Sequence, residues 1–304
     1  MVAAGGELDL LVVTHIDQDH IGGVLALCDD EEVPDEIVKQ FWFNSGELIA
    51  AYLDTPVDER REVTFQTIGE STRSLKQGIT LETFLKQSGR WHDQPVMQGQ
   101  SYEMGGAKIW VVAPSEEKLK ELNEDWQVEV GTSTRGVSND YDESLEELAQ
   151  RREREDRSVP NGSSIAFLFE YQSRRVLLLG DAHSSDVIEG LARLGYDAAH
   201  RLEVDAVKLS HHGSKASNLS ALWDVVSTRQ YLISTDGSRY GLPNKEALAR
   251  IILHPQRDKD QELVFYFNHD NEVLRSVLNE EECRTYRLRT EFPGEGQRGI
   301  TLAF

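Results

Sequence analysis

Cysteine, long apolar runs and positive charge are all scarce in this 304-residue chain. Its two cysteines, Cys28 and Cys283, are too few for a disulfide framework or a cysteine-rich zinc site. No apolar run approaches the roughly 20 residues that a membrane-spanning helix needs. Residues 1–9 lack the basic and apolar segments of a secretory signal peptide. These absences predict a cytoplasmic protein that does not enter a membrane.

Basic residues are outnumbered, because 32 Lys and Arg face 53 Asp and Glu and give a net charge of −21. An acidic surface disfavours tight, non-specific binding to a phosphate backbone. The composition therefore argues against a processive nuclease, although a local basic groove is compatible with it. The chain is long enough to bury a full core, and it contains no internal repeat.

Metal-ligand side chains are concentrated at the end of one short apolar run. Residues 8–13 are predicted to form a buried strand, and His15, Asp17, Asp19 and His20 follow it, before two glycines that open a helix. Two imidazoles and two carboxylates at one strand end are costly unless a cation neutralises them. We therefore predict a metal site here rather than a solvated polar loop.

Two later strand ends carry the same kinds of side chain. The predicted strand 174–179 leads into Gly180 and Asp181, and the strand 205–209 leads into a Ser-His-His-Gly-Ser run that contains His211 and His212. Strands that alternate with helices are the pattern of the α/β class.

Together these motifs resemble the metallo-β-lactamase superfamily of hydrolases. The first run is similar to its HxHxDH signature, with Asp17 in place of the second histidine, and Asp181 resembles its bridging aspartate. The His-His-Gly-Ser run, the Asn-Gly-Ser-Ser run at Asn161 and the Tyr-Gly turn at Tyr240 are similar to one branch, the metallo-β-lactamase-like domain of ComEC-type DNA-uptake proteins. The resemblance covers most of residues 8–255 and implies an αββα sandwich.

Three features depart from the family pattern. Leu242 and Asn244 stand where this branch usually has histidines, and Asn161 occupies the region of a further superfamily histidine. The first motif begins at residue 15, so we expect the sandwich to lack its first N-terminal strands. A misassigned start, a trimmed start and a partner protein that supplies the missing strands at the sheet edge are the alternatives, with an incomplete N-terminus favoured.

The resemblance implies two divalent cations, and the oxygen-rich ligand set favours manganese while zinc stays open. Six residues are the implied ligands: His15, Asp17, Asp19, His20, Asp181 and His211. By the same resemblance the first two serve one metal, the next two serve the other together with His211 or His212, and Asp181 bridges both. The implied catalytic residues are Asp19, Asp181 and His212, which act around a hydroxide held between the cations.

Three further residues are candidates for substrate binding. Ser214 and Lys215 follow on a turn whose N–H groups could receive a phosphate, and Asn161 could contact substrate or weakly bind metal. A surface lysine and a simple turn residue are the respective alternatives for Lys215 and Asn161. His183 is interpreted either as a proton donor to the leaving group or as an exposed residue at a helix start.

The chain organisation predicted is a metallo-β-lactamase-like domain over residues 1–258 and a C-terminal β-extension over 259–304. An insertion over 115–158 is expected to be a lid or a mobile surface segment, and its charged part, 144–157, to form a solvated helix. Apolar spacing predicts helices within 47–88, and strands are expected at 263–267, 285–289 and 300–304.

Three functions follow as hypotheses. The leading one is a phosphodiesterase or nuclease. The second is a hydrolase of a small ester, lactone, thioester or lactam, which the acidic charge favours. The third is a degenerate, non-catalytic subunit that binds a partner, which Asp17 and the missing histidines favour.

Overall fold

A computed structural model of the chain describes residues 6–30, 37–56, 80–125, 139–238, 240–297 and 299–302. Within them the chain adopts a mixed α/β fold around one eight-stranded sheet, which confirms the predicted α/β class. The helices that apolar spacing predicts between 57 and 79 lie outside the described residues, as does the middle of the predicted insertion, 126–138.

The strands are β1 (Leu11–Val12), β2 (Phe41–Trp42), β3 (Ser101–Met104), β4 (Ala107–Ala113), β5 (Ala166–Tyr171), β6 (Arg174–Leu178), β7 (Leu202–Glu203), β8 (Ala206–Lys208), β9 (Val226–Ser227), β10 (Gln230–Ile233), β11 (Leu263–Phe267) and β12 (Leu288–Glu291). The helices are α1 (Gln18–Cys28), α2 (Gly46–Tyr52), α3 (described over 80–88), α4 (Glu116–Asp125), α5 (Leu145–Ala149), α6 (Val159–Gly162), α7 (Ser184–Arg193), α8 (Ser220–Val225), α9 (Lys245–Ile252), α10 (Glu272–Arg275) and α11 (Glu280–Thr285).

The main sheet has the order β12-β11-β10-β8-β6-β5-β4-β3. Its half from β6 to β12 is parallel, and its half from β3 to β6 is antiparallel. β1 and β2 form a separate parallel pair, and so do β7 and β9. Parallel strands need helical crossovers, which explains why α7, α8 and α9 all lie in the second half of the chain.

The two faces of the main sheet are covered differently. Along β5, Ala166 and Leu168 pack into a large core with α7, α8 and α9, while Phe167 packs on the opposite face with Trp42 of β2. This alternation follows from the two-residue period of a strand. Behind the β1–β2 pair, α1 to α4 form a further core around Ile21. The layers of the described chain are thus helices, main sheet, strand pair and helices.

The first strand-turn-helix unit is confirmed, with small changes of boundary. β1 ends at Val12, and α1 begins at Gln18, three residues before the predicted start. Asp17 is the extended residue that precedes α1, and its carbonyl accepts from the N–H groups of His20 and Ile21. The strand end, the polar loop and the helix start are therefore continuous.

The solvated helix predicted over 144–157 is wrong. Only α5, five residues long, forms there, and its Leu145 and Leu148 are buried against the core. The charged residues after α5 form separate long-range hydrogen bonds. Glu153 accepts from the N–H of Ser220, and Asp156 donates its N–H to the Ala216 carbonyl. Long-range contacts of these polar groups replace the helix.

The strand predicted at 285–289 is displaced. Asn279 and Glu282 form a capping box that starts α11, so residues up to Thr285 are helical and β12 begins at Leu288. β11 and β12 extend the main sheet at its parallel edge. The strand expected at 300–304 is absent from the described residues 300–302, and 303–304 lie outside them.

None of the helices in the described part of the chain has both the length and the apolar character that crossing a membrane would require.

Candidate metal centre

The candidate site lies at the edge of the main sheet where its parallel strands end. β6 ends shortly before Asp181, and β8 ends shortly before the 3-10 turn Ser210–Gly213. The carboxyl ends of parallel strands meet at one edge, so these two segments converge. The end of β1 joins them, because the N–H of Ile165 donates to the Thr14 carbonyl at 2.9 Å and holds His15 at the same edge.

The structure brings every predicted metal-ligand and catalytic residue to this edge. Each has a side-chain nitrogen or oxygen within 3.9 Å of one from another member. The members are His15, Asp17, Asp19, His20, Asp181, His211 and His212.

Asp181 is the centre of the cluster and is 2 % exposed. Its Oδ2 lies 3.8 Å from Nε2 of His15 and 3.9 Å from Nε2 of His211. Its Oδ1 lies 3.3 Å from Nε2 of His20. The two oxygens of one carboxylate therefore face different histidines.

The remaining contacts divide the cluster into two sides. On the first side, Oδ2 of Asp17 lies 3.5 Å from Nε2 of His15. On the second side, Oδ2 of Asp19 lies 2.9 Å from Nε2 of His212 and 3.9 Å from Nε2 of His20. We call these the His15 side, with His211, and the His20 side, with His212.

These separations suit divalent cations. Two ligands that each lie about 2.1 Å from one ion, at the angles of tetrahedral or octahedral coordination, are roughly 3 to 3.5 Å apart. Two sets of three residues have ligand atoms that all approach one another closely enough to share an ion. They are His15, His20 and Asp181, and Asp19, His20 and His212.

The ligand atoms at the centre are also unsatisfied. Nε2 of His15, Nε2 of His20 and Oδ1 of Asp181 are buried and have no hydrogen-bond partner in the structure. A buried polar atom without a partner costs roughly 1–3 kcal/mol. Three such atoms that converge on one point fit a bound cation, which would give each of them its missing partner.

Thr14 orients both histidines of the first motif. Its Oγ1 lies 3.1 Å from Nδ1 of His15 and 3.0 Å from Nδ1 of His20. An imidazole whose Nδ1 carries the proton presents a bare Nε2, the form that binds metal. The Thr14 hydroxyl can accept from both rings and so favours this form on both.

His212 is oriented by backbone. Its Nδ1 lies against the Ser234 carbonyl, which can only accept, so Nδ1 carries a proton. In neutral His212 the Nε2 atom is then an acceptor, and it faces the acceptor Oδ2 of Asp19 at 2.9 Å. Either a proton or a cation must lie between these two atoms.

The charges of the cluster reinforce one another. Burial disfavours the ionised form of Asp181, but the histidines around it, His20 first, hold its pKa well below the usual range. Desolvation likewise opposes the charge on Asp19, but the hydrogen bond with His212 and the charge of His20 lower its pKa to about 2. Burial would lower the pKa of His20, but Asp181 raises it. The carboxylates are thus kept ionised, as metal ligands need to be.

The backbone at the two adjacent histidines is strained. His211 and His212 have φ of 45° and 53°, in the left-handed region that residues with a side chain rarely adopt. Gly180 also has a positive φ, and a Cβ there would lie 2.4 Å from Oγ of Ser164, which accepts from the Asp181 N–H. Such strain is concentrated at functional sites because the surrounding structure has to hold it.

The three predicted substrate-binding residues differ in burial and in their contacts. Asn161 is buried behind His211, and its Nδ2 lies 3.2 Å from Nδ1 of that ring. Ser214 is buried, and its N–H donates to the His211 carbonyl. Lys215 forms an ion pair with Glu246 at 3.1 Å, so its ammonium group is held by that carboxylate.

His183 does not fit the interpretation of an exposed histidine, because it is only 4 % exposed. Its Nδ1 lies 3.7 Å from Oδ2 of Asp186, and its Nε2 has no partner. The ring lies against Gly162, where an added Cβ would be 2.9 Å from its Cε1. It belongs to the layer that supports Asn161.

Three residues that act on the cluster are not among those predicted from the sequence. Thr14 was inside the first motif but is not a ligand type. Asp156 lies 3.5 Å from Nδ1 of His211 and accepts from Nδ2 of Asn161 at 2.6 Å, and nothing near it in sequence indicates this role. Lys208 is desolvated, which lowers its pKa, while the Asp181 carboxylate opposes that shift, so its charge acts on the cluster. A lysine inside an apolar strand was the available signal.

No protein-family model matches the chain, and no curated protein matches its sequence. The interpretation of the cluster therefore rests on its geometry.

Proposed function

We propose that this chain is a metal-dependent hydrolase of the metallo-β-lactamase type that cleaves phosphodiesters. One observation carries the proposal: the buried Asp181 directs one oxygen toward Nε2 of His15 and the other toward Nε2 of His20, and neither nitrogen has a hydrogen-bond partner among the described residues. A bridging carboxylate between two divalent cations is the arrangement that explains both facts.

The layers of the described chain support the fold assignment. A main sheet and a strand pair packed face to face, with helices outside each, correspond to an αββα sandwich. The first motif follows β1 in the smaller layer, and Asp181 follows β6 in the larger one. The site thus forms where the two layers meet at one edge.

Each side of the cluster would hold one cation. His15, Asp17 and His211 would hold the first, Asp19, His20 and His212 the second, and Asp181 both. Bound divalent cations supply Lewis acidity toward a phosphoryl oxygen and lower the pKa of water. Asp17 in place of a histidine leaves three carboxylates beside four histidines, an oxygen-richer set than the family signature, which favours manganese over zinc without rejecting zinc.

The residues of the chain have roles that follow from their contacts. The Ser234 carbonyl fixes the His212 ring, so that Nε2 faces Oδ2 of Asp19 and both atoms would bind the second cation in place of a shared proton. The Lys208 ammonium donates to the Leu209 carbonyl at 2.8 Å, and its charge and that of Asp181 act on each other. Asp156 and Asn161 orient His211.

A small phosphodiester suits this chain better than a long nucleic acid. The net charge of −21 opposes attraction of a polyanion, whereas the cluster itself can offer up to four charges on two cations. The resemblance of the His-His-Gly-Ser turn to a DNA-uptake branch favours a phosphodiester over a lactam or lactone. A protein partner at the edge of β1 stays a prediction.

The test is metal content with turnover, for wild type, Asp181→Asn and the control Asp93→Asn, whose carboxylate is 93 % exposed. We expect two manganese or zinc ions per chain and cleavage of bis(p-nitrophenyl) phosphate by wild type and control. Asp181→Asn should lose bound metal and at least roughly a hundredfold in rate, because a bridging ligand serves both sides.

The other outcomes select the other hypotheses. Bound metal with turnover of p-nitrophenyl acetate or a lactone, and none of the phosphodiester, would assign the chain to small esters. Bound metal without activity on either would indicate a non-catalytic subunit. Failure of wild type to acquire metal on titration would contradict the proposal itself.

A further inference from the structure

A second cavity lies at the opposite end of the parallel strands. It has a volume of about 660 Å³ and is lined by residues at the starts of β6, β8, β10 and β11. We call it the basal cavity and define it by Arg175, Arg201, Arg229 and Arg257, which all line it. β6, which separates it from the end that carries Asp181, is five residues, about 15 Å, long. The basal cavity is therefore distinct from the candidate metal centre.

The four arginines form no ion pair with a carboxylate of the described residues, in a chain where acidic residues predominate. Arg201 donates to the carbonyls of Trp223 and Val226 at 2.9 Å, and Arg257 to that of Ile252 at 2.8 Å. Among the described residues, the Arg175 guanidinium makes one hydrogen bond, a 3.5 Å contact with the Tyr196 hydroxyl, and its charge acts on Asp205.

Arg229 is the most available of the four. Its side chain is exposed, and within the described chain its guanidinium makes no hydrogen bond or ion pair. An unpaired guanidinium presents five donors that suit phosphate and carboxylate oxygens. Arg229 and Arg175 can therefore engage a ligand without giving up a strong internal contact.

Buried donors around the cavity are also unsatisfied. Nε of Arg201, Nε of Arg257 and Nε1 of Trp223 are buried and have no acceptor. Burial raises the pKa of the Tyr231 phenol, and the charges of Arg201 and Arg257 oppose that shift, so both guanidinium groups lie near this ring. The wall is thus rich in donors and positive charge.

Three acidic residues, Glu203, Asp205 and Asp258, also line the cavity, so its four arginines leave a formal net charge of +1. The charges of Arg175 and Asp205 act on each other, as do those of Arg257 and Asp258. Asp205 accepts from the guanidinium of Arg174, which is not one of the four, at 3.0 Å. It also accepts from the backbone N–H of Arg175 at 2.7 Å. Asp258 accepts from the N–H of Asp260, and Glu203 is exposed. His254, also in the wall, has its pKa lowered by burial, so it is neutral at pH 7.

We propose that the basal cavity binds a small phosphorylated molecule, of about the size of a mononucleotide. Arginines that approach from several strands suit the multiple oxygens of a phosphate better than the two of a carboxylate. The volume lies within the usual range for small-molecule pockets, while the polar wall excludes an apolar ligand. The site is independent of the metal centre and of its proposed activity.

The test is calorimetric titration of the full chain, dialysed free of metal, with AMP, inorganic phosphate and adenosine as probes. We expect AMP to bind and adenosine not to bind. Arg229→Gln and Arg175→Gln should each weaken AMP binding roughly 10-fold or more, as loss of a charge-assisted contact does. The matched control Arg193→Gln removes the same charge from an exposed arginine on α7 and should leave affinity unchanged.

Each other outcome is decisive. Binding of inorganic phosphate that weakens in the same two variants supports the proposal and identifies the free anion as sufficient. Equal binding of adenosine and AMP, unchanged affinity in both variants, or no binding of AMP and phosphate by wild type would overturn it. Asp181→Asn should bind AMP like wild type, which separates this result from that of the metal centre.

Discussion

At the scale of single residues, the position of His211 depends on a carboxylate far from it in sequence. Asp156 lies in a charged, irregular stretch and accepts from Asn161 while facing Nδ1 of His211. Burial disfavours its charge, but the His211 hydrogen bond lowers its pKa, so it stays ionised. A carboxylate behind a metal-binding histidine fixes the ring and raises its basicity.

Asp156→Asn should therefore weaken the binding of divalent metal by about 10- to 100-fold while leaving the fold intact. The amide keeps the shape of the side chain but removes the charge that holds His211. Competition against a fluorescent chelator measures the affinity. Asp142→Asn, at an exposed position of the same segment, is the control, and an equal effect in both variants would refute this role.

A second residue-scale prediction concerns pH. Burial lowers the pKa of His254 from its ordinary value of 6.5, although Asp224 lies 3.4 Å away and opposes the shift. Below about pH 6.5 the unfolded chain binds a proton at this histidine that the folded chain resists, so stability falls as the pH falls. His254→Asn should lose less stability than wild type between about pH 7 and pH 5.

Urea denaturation in phosphate-free buffer at both pH values measures this difference. Since other histidines titrate in the same window, only the difference between wild type and variant is informative. Parallel stability curves for the two proteins would show that His254 is protonated equally well in the folded and unfolded states.

At the scale of elements, α7 packs so closely on the main sheet that one position must be glycine. A Cβ on Gly190 would lie 2.0 Å from the Val112 carbonyl oxygen of β4. The obstacle is the backbone of a strand that is paired on both sides, which cannot move as a side chain can. In α1, by contrast, a Cβ on Gly23 would meet nothing within 4 Å.

Gly190→Ala should destabilise the protein by about 3 kcal/mol or more, at the upper end of the cost of overpacking a core. Gly23→Ala, the matched control, should stabilise it by about 0.5–1 kcal/mol, the helix propensity gained. Chemical denaturation gives both values. Similar effects from the two substitutions would mean that α7 can shift away from β4.

Helices and strands that are determined by residues close together in the sequence lie near the positions predicted from it. The predicted ligands each follow a strand, so strand ends and polar runs were enough to predict that these side chains lie close together. β12 was misplaced because the capping box at Asn279 starts a helix that extends through Thr285, where the predicted strand began. The stretch after α5 was misassigned because its partners, such as Ala216 and Ser220, are distant in sequence.

At the scale of the whole molecule, a buried charge network ties the C-terminal helices to residues 139–153. Lys245 is 2 % exposed, and its ammonium donates to the Tyr141 carbonyl at 2.8 Å and pairs with Glu282 at 2.7 Å. Its backbone N–H donates to Asp140. Three parts of the chain thus meet at one lysine, an arrangement that no single segment of the sequence predicts.

Lys245→Met should cost about 3 kcal/mol, because it leaves Glu282 without its counter-ion in a mostly buried site. Adding Glu282→Gln removes that charge and keeps the capping box, since glutamine serves there as well as glutamate. The double variant should therefore be more stable than Lys245→Met alone. A double-mutant cycle by urea denaturation measures this coupling, and additive losses would contradict it.

The basal cavity is likewise a property of the assembled molecule. Its arginines lie in β6 (Arg175), before β7 (Arg201), before β10 (Arg229) and in the loop after α9 (Arg257), and each looks like a surface charge in the sequence. The net charge predicts repulsion of anions for the chain as a whole. The fold nevertheless gathers arginines at one end of the sheet, so that average charge is a poor guide to local binding.

The Thr14 hydroxyl has a mechanical consequence. One oxygen atom touches the rings of His15 and His20, which belong to opposite sides of the cluster, and the Thr14 carbonyl is bonded to the N–H of Ile165 before β5. Both rings are therefore anchored through one oxygen atom, on a residue that is itself bonded to the main sheet. The two sides of the cluster share this anchor, so loss of one hydroxyl would release both rings at once.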